Sequence, residues 1–500
     1  MKILKYFIAF AVMVFFSVFP IEEYYPGLDA LVYENIRFFG LLFAYGIVAI
    51  SPFIKAMDSL MGKSLFEYNY IICFVTFAFI VLKKYQDAII CMALYGMLYD
   101  LTGYMIRSTK KEIISKIEKS TDKVKILIGS TRAEVDINQV EPGMIISVLP
   151  GECVPLDGYV TKGIAHVDIS SICDEKYNIP VQKGSFVKSG VTVVDEKIEI
   201  EVKNDVKSCF TSRLLEHMEM VNDEESRVED NTFFISVAIM IIISFAAIMS
   251  IVLAATINRG DFSEWLYRGL SIMLMAGNIT IVSTVGITVY MGIVDCFKKG
   301  IFIRNKDAFF KMAGTGAIVF DAETASGRFA SKSVMTAKSY GINRFAIISD
   351  MKDDEVKRIG SICGIDEKAC YGSMTMPDMF ERLKSMNDFS PELMFIGDYK
   401  TDGVMLSRAS IGCAMGLVES NDDYMDFNSA SIVSLKDDPI PIVENIKTAF
   451  KYKKKIDDNM LFAIMFKLLA LGLIISGIVP VMIMMCLEII LEILLLNRKA

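Results

Sequence analysis

The sequence predicts a polytopic α-helical membrane protein with one β-rich soluble block and one α/β soluble block. Of its 500 residues, 53% are hydrophobic and 22% are charged, and the mean hydropathy is +0.43. Soluble domains are usually less apolar than this. Uncharged runs close to the length of a bilayer span recur along the chain. Two long polar segments, 108–231 and 298–455, interrupt these runs and must fold outside the lipid.

The charge and cysteine content exclude several other classes of protein. The formal net charge is −8 and the pI is about 5.2, so the basic surface that a nucleic-acid binder needs is missing and we expect no nucleic-acid partner. The ten cysteines are scattered singly without a CxxC pair, which is typical of reduced thiols facing a cytosol. With only two histidines, a histidine-built metal site is not expected.

The apolar runs predict about eight membrane helices. Six uncharged or nearly uncharged runs are Tyr6–Ile21, Phe38–Ile54, Tyr68–Leu82, Ala88–Ile106, Thr232–Asn258 and Gly269–Val294. The stretch 459–497 is long enough for two more helices, with a break near Gly477 and Pro480. The first run could instead be a signal peptide, but no small-residue cleavage site follows it, so we expect a retained anchor.

Basic residues orient these helices. Arg107, Lys110, Lys111, Lys116 and Lys119 follow the fourth run, and Lys298 and Lys299 follow the sixth. By the positive-inside rule both soluble blocks are cytoplasmic, although Lys83 and Lys84 fall on the opposite side. The predicted organisation is four helices (1–107), a soluble block (108–231), two helices (232–297), a second block (298–455) and two helices (456–500).

The two soluble blocks differ in their hydrophobic patterns. In the first block, short apolar runs such as Val124–Ile128, Met144–Val148 and Ile198–Val202 alternate with turn residues, which predicts a β-rich domain. In the second block, apolar strands alternate with helical segments. Such alternation is typical of a doubly wound parallel sheet, whose strands end at a common crevice.

Acidic residues follow three strands of the α/β block. Ala317–Phe320 leads into Asp321, Phe345–Ile348 into Asp350, and Leu393–Ile396 into Asp398, with Asp402 four residues later. Carboxylates that converge at strand ends could hold Mg²⁺, and one of them could be the nucleophile in phosphoryl transfer. The alternative is that each aspartate only caps the helix that follows its strand.

Several motifs resemble the heavy-metal, zinc- and cadmium-like branch of the P-type ATPases. The stretch 150–158 resembles the loop of that family's actuator domain, and 166–168 and 179–181 continue it in register. The stretches 300–304 and 317–321 resemble the approach to the phosphorylated aspartate, and 397–402 and 411–416 resemble the hinge motif and the strand after it. The resemblance implies an actuator domain in 108–231 and a haloacid-dehalogenase-like phosphorylation domain in 298–455. It also implies phosphorylation at Asp321 and Mg²⁺ at Asp321, Asp398 and Asp402.

The chain departs from the family pattern around its reactive residues. In the family the aspartate is followed by Lys, Thr, Gly and Thr, whereas Ala322, Glu323, Thr324 and Ala325 follow Asp321. Glu323 stands where phosphatases of the haloacid-dehalogenase fold carry a general acid, or it reflects drift at an inactive site. The actuator Thr-Gly-Glu is replaced by Cys173-Asp174-Glu175, of which only Glu175 is retained, and its implied role is to position water.

A nucleotide-binding domain is not expected. Family members insert this domain after the phosphorylated aspartate, but Asp321 and Asp350 are only 29 residues apart. A domain needs about 50 residues or more to bury a core. We therefore expect no tight ATP binding by the chain itself, and ATP-driven transport would need another phosphate donor or a partner protein that supplies the nucleotide-binding function.

The intramembrane metal site is also altered. The family's Cys-Pro-Cys corresponds to Ala276-Gly277-Asn278, which could loosen the helix or simply allow close helix packing. Lys467 matches an intramembrane lysine of the zinc-type branch, and Glu488 lies near that branch's acidic residue. Ionisable groups in lipid are costly and usually have a role or a partner. We expect Lys467 and Glu488 to form a pair and to belong to a site for a metal cation.

Four functions remain open at this stage. The main expectation is a heavy-metal cation transporter homologue, integral to a bacterial plasma membrane, whose ATP-driven transport is impaired or lost. The alternatives are a catalytically inactive regulatory or partner subunit, a membrane-anchored phosphatase that uses Asp321 and Glu323, and an active transporter helped by a partner chain.

Overall fold

The computed structural model describes residues 2–18, 30–61, 68–117, 123–128, 131–174, 176–223, 226–257, 262–277, 279–389, 392–398, 400–418 and 430–498. The chain divides into two compact units. The first comprises residues 1–107, 229–288 and 455–500, and the second comprises residues 108–228 and 289–454.

Helices account for most of the first unit and surround the sheets of the second. In chain order they are α1 Lys2–Val18, α2 Ala30–Met61, α3 Tyr68–Val81, α4 Tyr85–Ile117, α5 Phe210–Asp223, α6 Arg227–Ile257, α7 Phe262–Leu274, α8 Ile279–Lys298, α9 Lys306–Ala313, α10 Ala322–Ser326, α11 Ala330–Ser339, α12 Asp353–Cys363, α13 Met376–Phe389, α14 Gly403–Arg408, α15 Ile440–Ile475 and α16 Val481–Asn497.

Five described helices are long and apolar enough to cross a membrane. The qualifying segments are Leu31–Asp58, Tyr85–Thr109, Arg227–Leu253, Thr280–Lys298 and Ile440–Ile475. Two shorter apolar helices, Leu4–Val18 and Tyr68–Val81, accompany them. A charge within one of these segments, Asp100 of α4, accepts a hydrogen bond from Tyr6 Oη at 2.8 Å and lies 3.4 Å from Lys5 Nζ. The acid is therefore compensated by a neighbouring helix, as buried charges require.

The sixth predicted span is divided into two helices. The sequence predicts one helix over Gly269–Val294, but α7 ends at Leu274 and α8 begins at Ile279. A helix end leaves carbonyl groups without partners inside the helix. Here Tyr68 Oη donates to the Leu274 carbonyl, and Lys467 Nζ lies 3.4 Å from the Met275 carbonyl. A Cβ at Gly277 would lie 2.8 Å from the Tyr68 ring, so a glycine is needed for this close approach.

The β-rich block contains nine strands: β1 Lys123–Ile128, β2 Thr131–Asp136, β3 Ile145–Val148, β4 Gly158–Lys162, β5 Ala165–Asp168, β6 Asn178–Val181, β7 Phe186–Val187, β8 Thr192–Val193 and β9 Ile198–Val202. Six of them form a sheet in the order β2-β1-β3-β9-β4-β7, and three form a sheet in the order β6-β5-β8. Strand β9 alternates buried and partly exposed residues, which is the period of a strand with one face on a core.

The α/β block is built on a seven-stranded sheet: β10 Ile301–Ile303, β11 Ala317–Asp321, β12 Arg344–Ile348, β13 Cys370–Tyr371, β14 Leu393–Asp398, β15 Ile411–Met415 and β16 Ile432–Ser434. Their order is β10-β16-β15-β14-β11-β12-β13. Every pairing is parallel except β10 with β16. The central strands are buried apolar runs, as expected for a parallel sheet covered on both faces.

Candidate functional site

The carboxyl ends of β11 and β14 bring two of the predicted aspartates to one edge of the sheet. These strands are neighbours and run parallel, with Phe320 opposite Ile396, so Asp321 and Asp398 both end a central strand. Asp402 returns to the same edge: its Oδ2 accepts a hydrogen bond from the Asp398 backbone N–H at 2.9 Å. A Cβ on Gly397 would lie 2.4 Å from that oxygen, so this position must be glycine for Asp402 to approach.

The concentration of negative charge at this edge changes the pKa of its carboxyl groups. Burial first, and then the neighbouring carboxylates of Asp321, Asp398 and Glu323, raise the pKa of Asp402 from 3.8 to about 7 against the opposing backbone hydrogen bond from Asp398. Burial also raises the pKa of Asp321, although backbone N–H groups of the following residues oppose that shift. The edge therefore attracts protons or cations.

Asp321 also caps a short helix. Its Oδ2 accepts a hydrogen bond from the Glu323 N–H at 2.7 Å, at the start of α10. The helix-cap alternative is thus present in the structure, together with the cluster of carboxylates, because one oxygen of Asp321 serves the cap. The Glu323 side chain is exposed, yet its charge is close enough to raise the pKa of both Asp321 and Asp402.

The acidic edge fits a magnesium ion. Mg²⁺ binds proteins through one or two carboxylates and completes its shell with water and phosphate oxygens. No group of three His, Cys, Asp or Glu side chains in the described ranges already converges on one point. The partly buried Asp402, whose pKa is raised by burial and by neighbouring carboxylates, nevertheless carries a charge that a divalent cation would neutralise. Asp321, Asp398 and Asp402 are the residues that would hold it.

Two other predicted residues, Asp350 and Glu175, take no part in the hydrogen bonds of these three aspartates among the described residues. Asp350 is exposed after β12 and hydrogen-bonds Ser349 at 3.4 Å. Glu175 lies outside the described residues. Just before it, the Asp174 N–H donates to the Lys298 carbonyl at 2.8 Å and Cys173 is buried.

The connection after Asp321 is short and fully described. Between β11 and β12 the chain forms only α10 and α11, and then enters β12 at Arg344. Strand β12 pairs directly with β11, with Asp321 opposite Ile348. This segment is a compact crossover between neighbouring parallel strands, and it contains no additional domain.

The stretch 150–158 contains an acid, Asp157, whose structural role the sequence did not indicate. Asp157 is 3% exposed and accepts hydrogen bonds from the backbone N–H groups of Ser189 at 2.6 Å and Phe210 at 2.8 Å, and from Asn204 Nδ2 at 3.1 Å. These bonds tie the loop at 150–158 to α5, so this acid stabilises the block.

The apolar unit contains the expected pair of charges. Lys467 Nζ of α15 lies 2.8 Å from Glu488 Oε1 of α16, and both side chains are buried. Thr280 Oγ1 of α8 also donates to Glu488 Oε1, at 3.0 Å. A second buried acid, Glu492, accepts from Ser283 at 2.7 Å and from Thr102 at 3.1 Å. Its spacing of four residues from Glu488, which predicts a shared helix face, is the signal that could have identified it.

Known proteins resemble this chain in both sequence and fold. Residues 118–219 match the P-type ATPase actuator domain. Over 288 residues the chain is 23% identical to a cadmium, zinc and cobalt-transporting ATPase of Bacillus subtilis (strain 168), a match that covers 57% of this chain and 41% of that protein. The corresponding protein of Helicobacter pylori is also 23% identical, with 58% and 42% covered. In sequence the chain is therefore similar to heavy-metal P-type ATPases.

The chain spans about two fifths of the length of these curated P-type ATPase relatives. A solved zinc-transporting PIB-type ATPase in the E2.Pi state shares its fold, with a TM-score of 0.56, 14% identity and coverage of 99% of this chain and 98% of that one. The resemblance stated from the motifs is thereby confirmed, and so is the expected fold class apart from its count of about eight membrane helices. The expected localisation as an integral membrane protein is also confirmed. The β-rich block is a P-type ATPase actuator domain.

Proposed function

We propose that this chain is a heavy-metal P-type ATPase-like cation transporter homologue in which ATP-driven transport is impaired or lost. Support comes from the actuator domain, the membrane helices and the aspartate cluster, which occur together in one chain that is similar to metal-transporting ATPases. The proposed loss concerns the transfer of a phosphoryl group from ATP to Asp321.

The short connection between β11 and β12 is the observation that carries this proposal. Its 22 residues, 322–343, hold two small helices and lead straight into a strand that pairs with β11. An adenine pocket with its own core needs a domain of about 50 residues or more. Tight ATP binding next to Asp321 is therefore not expected from this segment, and a phosphoryl donor must come from solution or from a partner protein.

The remaining residues support phosphoryl chemistry at Asp321. One carboxylate oxygen would attack the phosphorus atom of the donor as the donor's P–O bond breaks and its leaving group, acetate in the case of acetyl phosphate, departs, while the Glu323 N–H at 2.7 Å holds the other oxygen. Bound Mg²⁺ would spread the negative charge of the phosphoryl group. Asp398 and Asp402 would hold this Mg²⁺ at the sheet edge. Glu175 would position the water that hydrolyses the phosphoenzyme.

Glu323 favours a second candidate, a membrane-anchored phosphatase. Its side chain is exposed at the acidic edge and its charge acts on Asp321 and Asp402. An acid in this position could donate a proton to a departing alcohol or phosphate oxygen. This candidate differs from the first in that phosphate is released without accumulation of a phosphoenzyme.

Phosphate incorporation and release test the two candidates against an inactive regulatory subunit. The purified full chain is incubated with Mg²⁺ and either labelled ATP or labelled acetyl phosphate. Asp321→Asn removes the nucleophile, and Asp366→Asn is the matched control, because Asp366 only caps a turn at Lys368. We expect acid-stable label from acetyl phosphate but not from ATP, absent in Asp321→Asn and retained in the control.

The other outcomes distinguish the alternatives. Label from ATP alone would contradict the proposed loss of ATP-driven phosphorylation. Phosphate release without trapped label, abolished by Glu323→Gln, would support the phosphatase. Neither label nor release would leave the inactive regulatory subunit.

A further inference from the structure

Two clusters of polar side chains lie one helical turn apart inside the apolar unit. The Glu488 cluster consists of Lys467, Glu488 and Thr280, joined at 2.8 Å and 3.0 Å. The Glu492 cluster consists of Glu492, Ser283 and Thr102, joined at 2.7 Å and 3.1 Å. Four helices, α4, α8, α15 and α16, contribute to these clusters, so the two acids face the interior of the helix bundle.

Glu492 has an unfilled position at one oxygen. The residue is fully buried, and its Oε1 accepts both hydroxyl groups of its cluster. Its Oε2 has no hydrogen-bond partner within the described ranges, and no ion pair there reaches this carboxyl group. A buried carboxylate oxygen without a partner is costly, and a natural explanation is a ligand that binds there.

The charges of the two clusters do not balance. Lys467 contributes one positive charge and is engaged by Glu488, while Glu492 adds a second negative charge. With both glutamates ionised, the clusters together carry one excess negative charge in a medium where isolated charges are unfavourable. A bound cation would supply the missing positive charge.

The atoms around this position are oxygens. Carboxylate and hydroxyl oxygens suit hard cations such as Mg²⁺ and Mn²⁺, whereas soft metals prefer thiolates. The buried thiol of α4, Cys91, lies 11 residues before Thr102, about 16 Å along the helix, and Cys486 of α16 is exposed. Neither thiol is a member of the clusters.

Two further buried oxygens continue the polar surface along the bundle. Asn459 Oδ1 and Thr288 Oγ1 also have no hydrogen-bond partner among the described residues. Asn459 lies on α15 eight residues before Lys467, about 12 Å along the helix, and its Nδ2 is 3.4 Å from the Leu495 carbonyl. Unpaired oxygens therefore occur at Asn459 and Thr288 as well as at Glu492.

We propose that Glu492, with Ser283 and Thr102, forms a second intramembrane cation site that selects a hard, oxygen-preferring divalent cation. The proposal rests on the proposed function only in assuming that the membrane helices take a cation as cargo. It names a class of cargo that differs from the metals in the names of the curated relatives, and it assigns the selectivity to the donor atoms of this chain.

Equilibrium binding of Mn²⁺ without any phosphate donor tests the site. The full chain in lipid nanodiscs carries Asp321→Asn and Asp398→Asn, so that the acidic sheet edge does not bind the probe. Binding is measured as the loss of the paramagnetic resonance signal of free Mn²⁺. The measurement compares this parent protein with the same protein carrying Glu492→Gln, Glu492→Asp, or Ser283→Ala together with Thr102→Ala. Glu264→Gln is the control, because Glu264 is an exposed acid paired with Arg268 at the edge of the same unit.

We expect Glu492→Gln to weaken Mn²⁺ binding by at least about tenfold, in the range known for the loss of groups around metals. Glu492→Asp should restore part of the affinity, the hydroxyl pair should lose several-fold, and Glu264→Gln should bind as the parent does. The hydroxyl pair keeps the test valid if Glu492→Gln fails to fold. Unchanged binding in both Glu492→Gln and the hydroxyl pair, no Mn²⁺ binding by the parent, or a Zn²⁺ affinity that Mn²⁺ cannot match would each overturn the proposal. All these results are independent of phosphorylation, so they leave the proposed function to its own test.

Discussion

Asp402 makes the stability of the soluble unit depend on pH and on magnesium. Its folded-state pKa of about 7 exceeds the ordinary value of 3.8, mainly because of burial and then because of the neighbouring carboxylates. The folded chain therefore holds the proton more tightly than the unfolded chain. The resulting contribution to stability is fully present below a pH of about 3.8 and is lost as the pH rises through about 7.

The size of this effect follows from the two pKa values. A difference of about 3 corresponds to about 4 kcal/mol, at about 1.4 kcal/mol for each pH unit. Asp402 is only partly buried, and water screens the charges around it, so about 2 kcal/mol is a more realistic loss between pH 4 and pH 8. Asp402→Asn cannot ionise and should remove this part of the pH dependence. A smaller slope of the same sign should remain, because the pKa of Asp321 is also raised.

Thermal unfolding of the full chain, followed by actuator and sheet signals at pH 5 and pH 8, measures the effect. Wild type should unfold at a lower temperature at pH 8, and Mg²⁺ should restore much of that loss. Asp402→Asn should show a smaller difference between the two pH values and little response to Mg²⁺, whereas the Asp366→Asn control should behave as wild type. Equal pH dependence in Asp402→Asn and wild type, or equal stabilisation of both by Mg²⁺, would refute the electrostatic reasoning.

Three further predictions concern other positions. Removing one charge of the buried pair, as in Lys467→Met, should destabilise the apolar unit by about 3–5 kcal/mol. Lys467→Met combined with Glu488→Gln should destabilise it much less, and a double-mutant cycle of unfolding midpoints in nanodiscs measures the difference. Gly397→Ala should displace Asp402, since the added Cβ would lie 2.4 Å from its Oδ2, and should reduce Mg²⁺ stabilisation as far as Asp402→Asn does. Asp157→Ala should destabilise the actuator domain by about 3 kcal/mol or more, because three hydrogen-bond donors lose their buried acceptor. The β-sheet signal of the domain should then unfold earlier, and an unchanged unfolding midpoint would contradict the stabilising role of Asp157.

The strands of both soluble blocks were predictable because their signals are local. Ala317–Phe320, Leu393–Ile396 and Ile198–Val202 are compact apolar runs bounded by turn or acidic residues, and each is a strand in the structure. The convergence of Asp321 and Asp398 followed from a general property of parallel sheets. What local patterns could not show is that Asp402 folds back onto Asp398, since this depends on the absence of a side chain at Gly397.

The division of the sixth span and the role of Glu492 could not be predicted in the same way. Ala276-Gly277-Asn278 indicated only that this helix could loosen, whereas the groups that contact the Leu274 and Met275 carbonyls, Tyr68 and Lys467, come from distant parts of the chain. In the sequence, Glu492 interrupts an apolar run four residues after Glu488, a spacing that places both acids on one helix face. Its partners Thr102 and Ser283 are 390 and 209 residues away, so no local spacing relates them.

Each unit contains an acid whose negative charge is disfavoured by its surroundings, and both acids bear on whether the chain still binds cations. Asp402 in the sheet edge and Glu492 among the membrane helices are acids whose surroundings disfavour their charge. In a scaffold without ligands, replacement of either acid by an uncharged residue would relieve repulsion or an unpartnered oxygen and would stabilise the fold. A bound cation would reverse that balance at both positions. The cation measurements at Asp402 and Glu492 therefore decide more than the individual sites: stabilisation by cations at both would mean that cation chemistry persists alongside the proposed loss of the nucleotide-driven step.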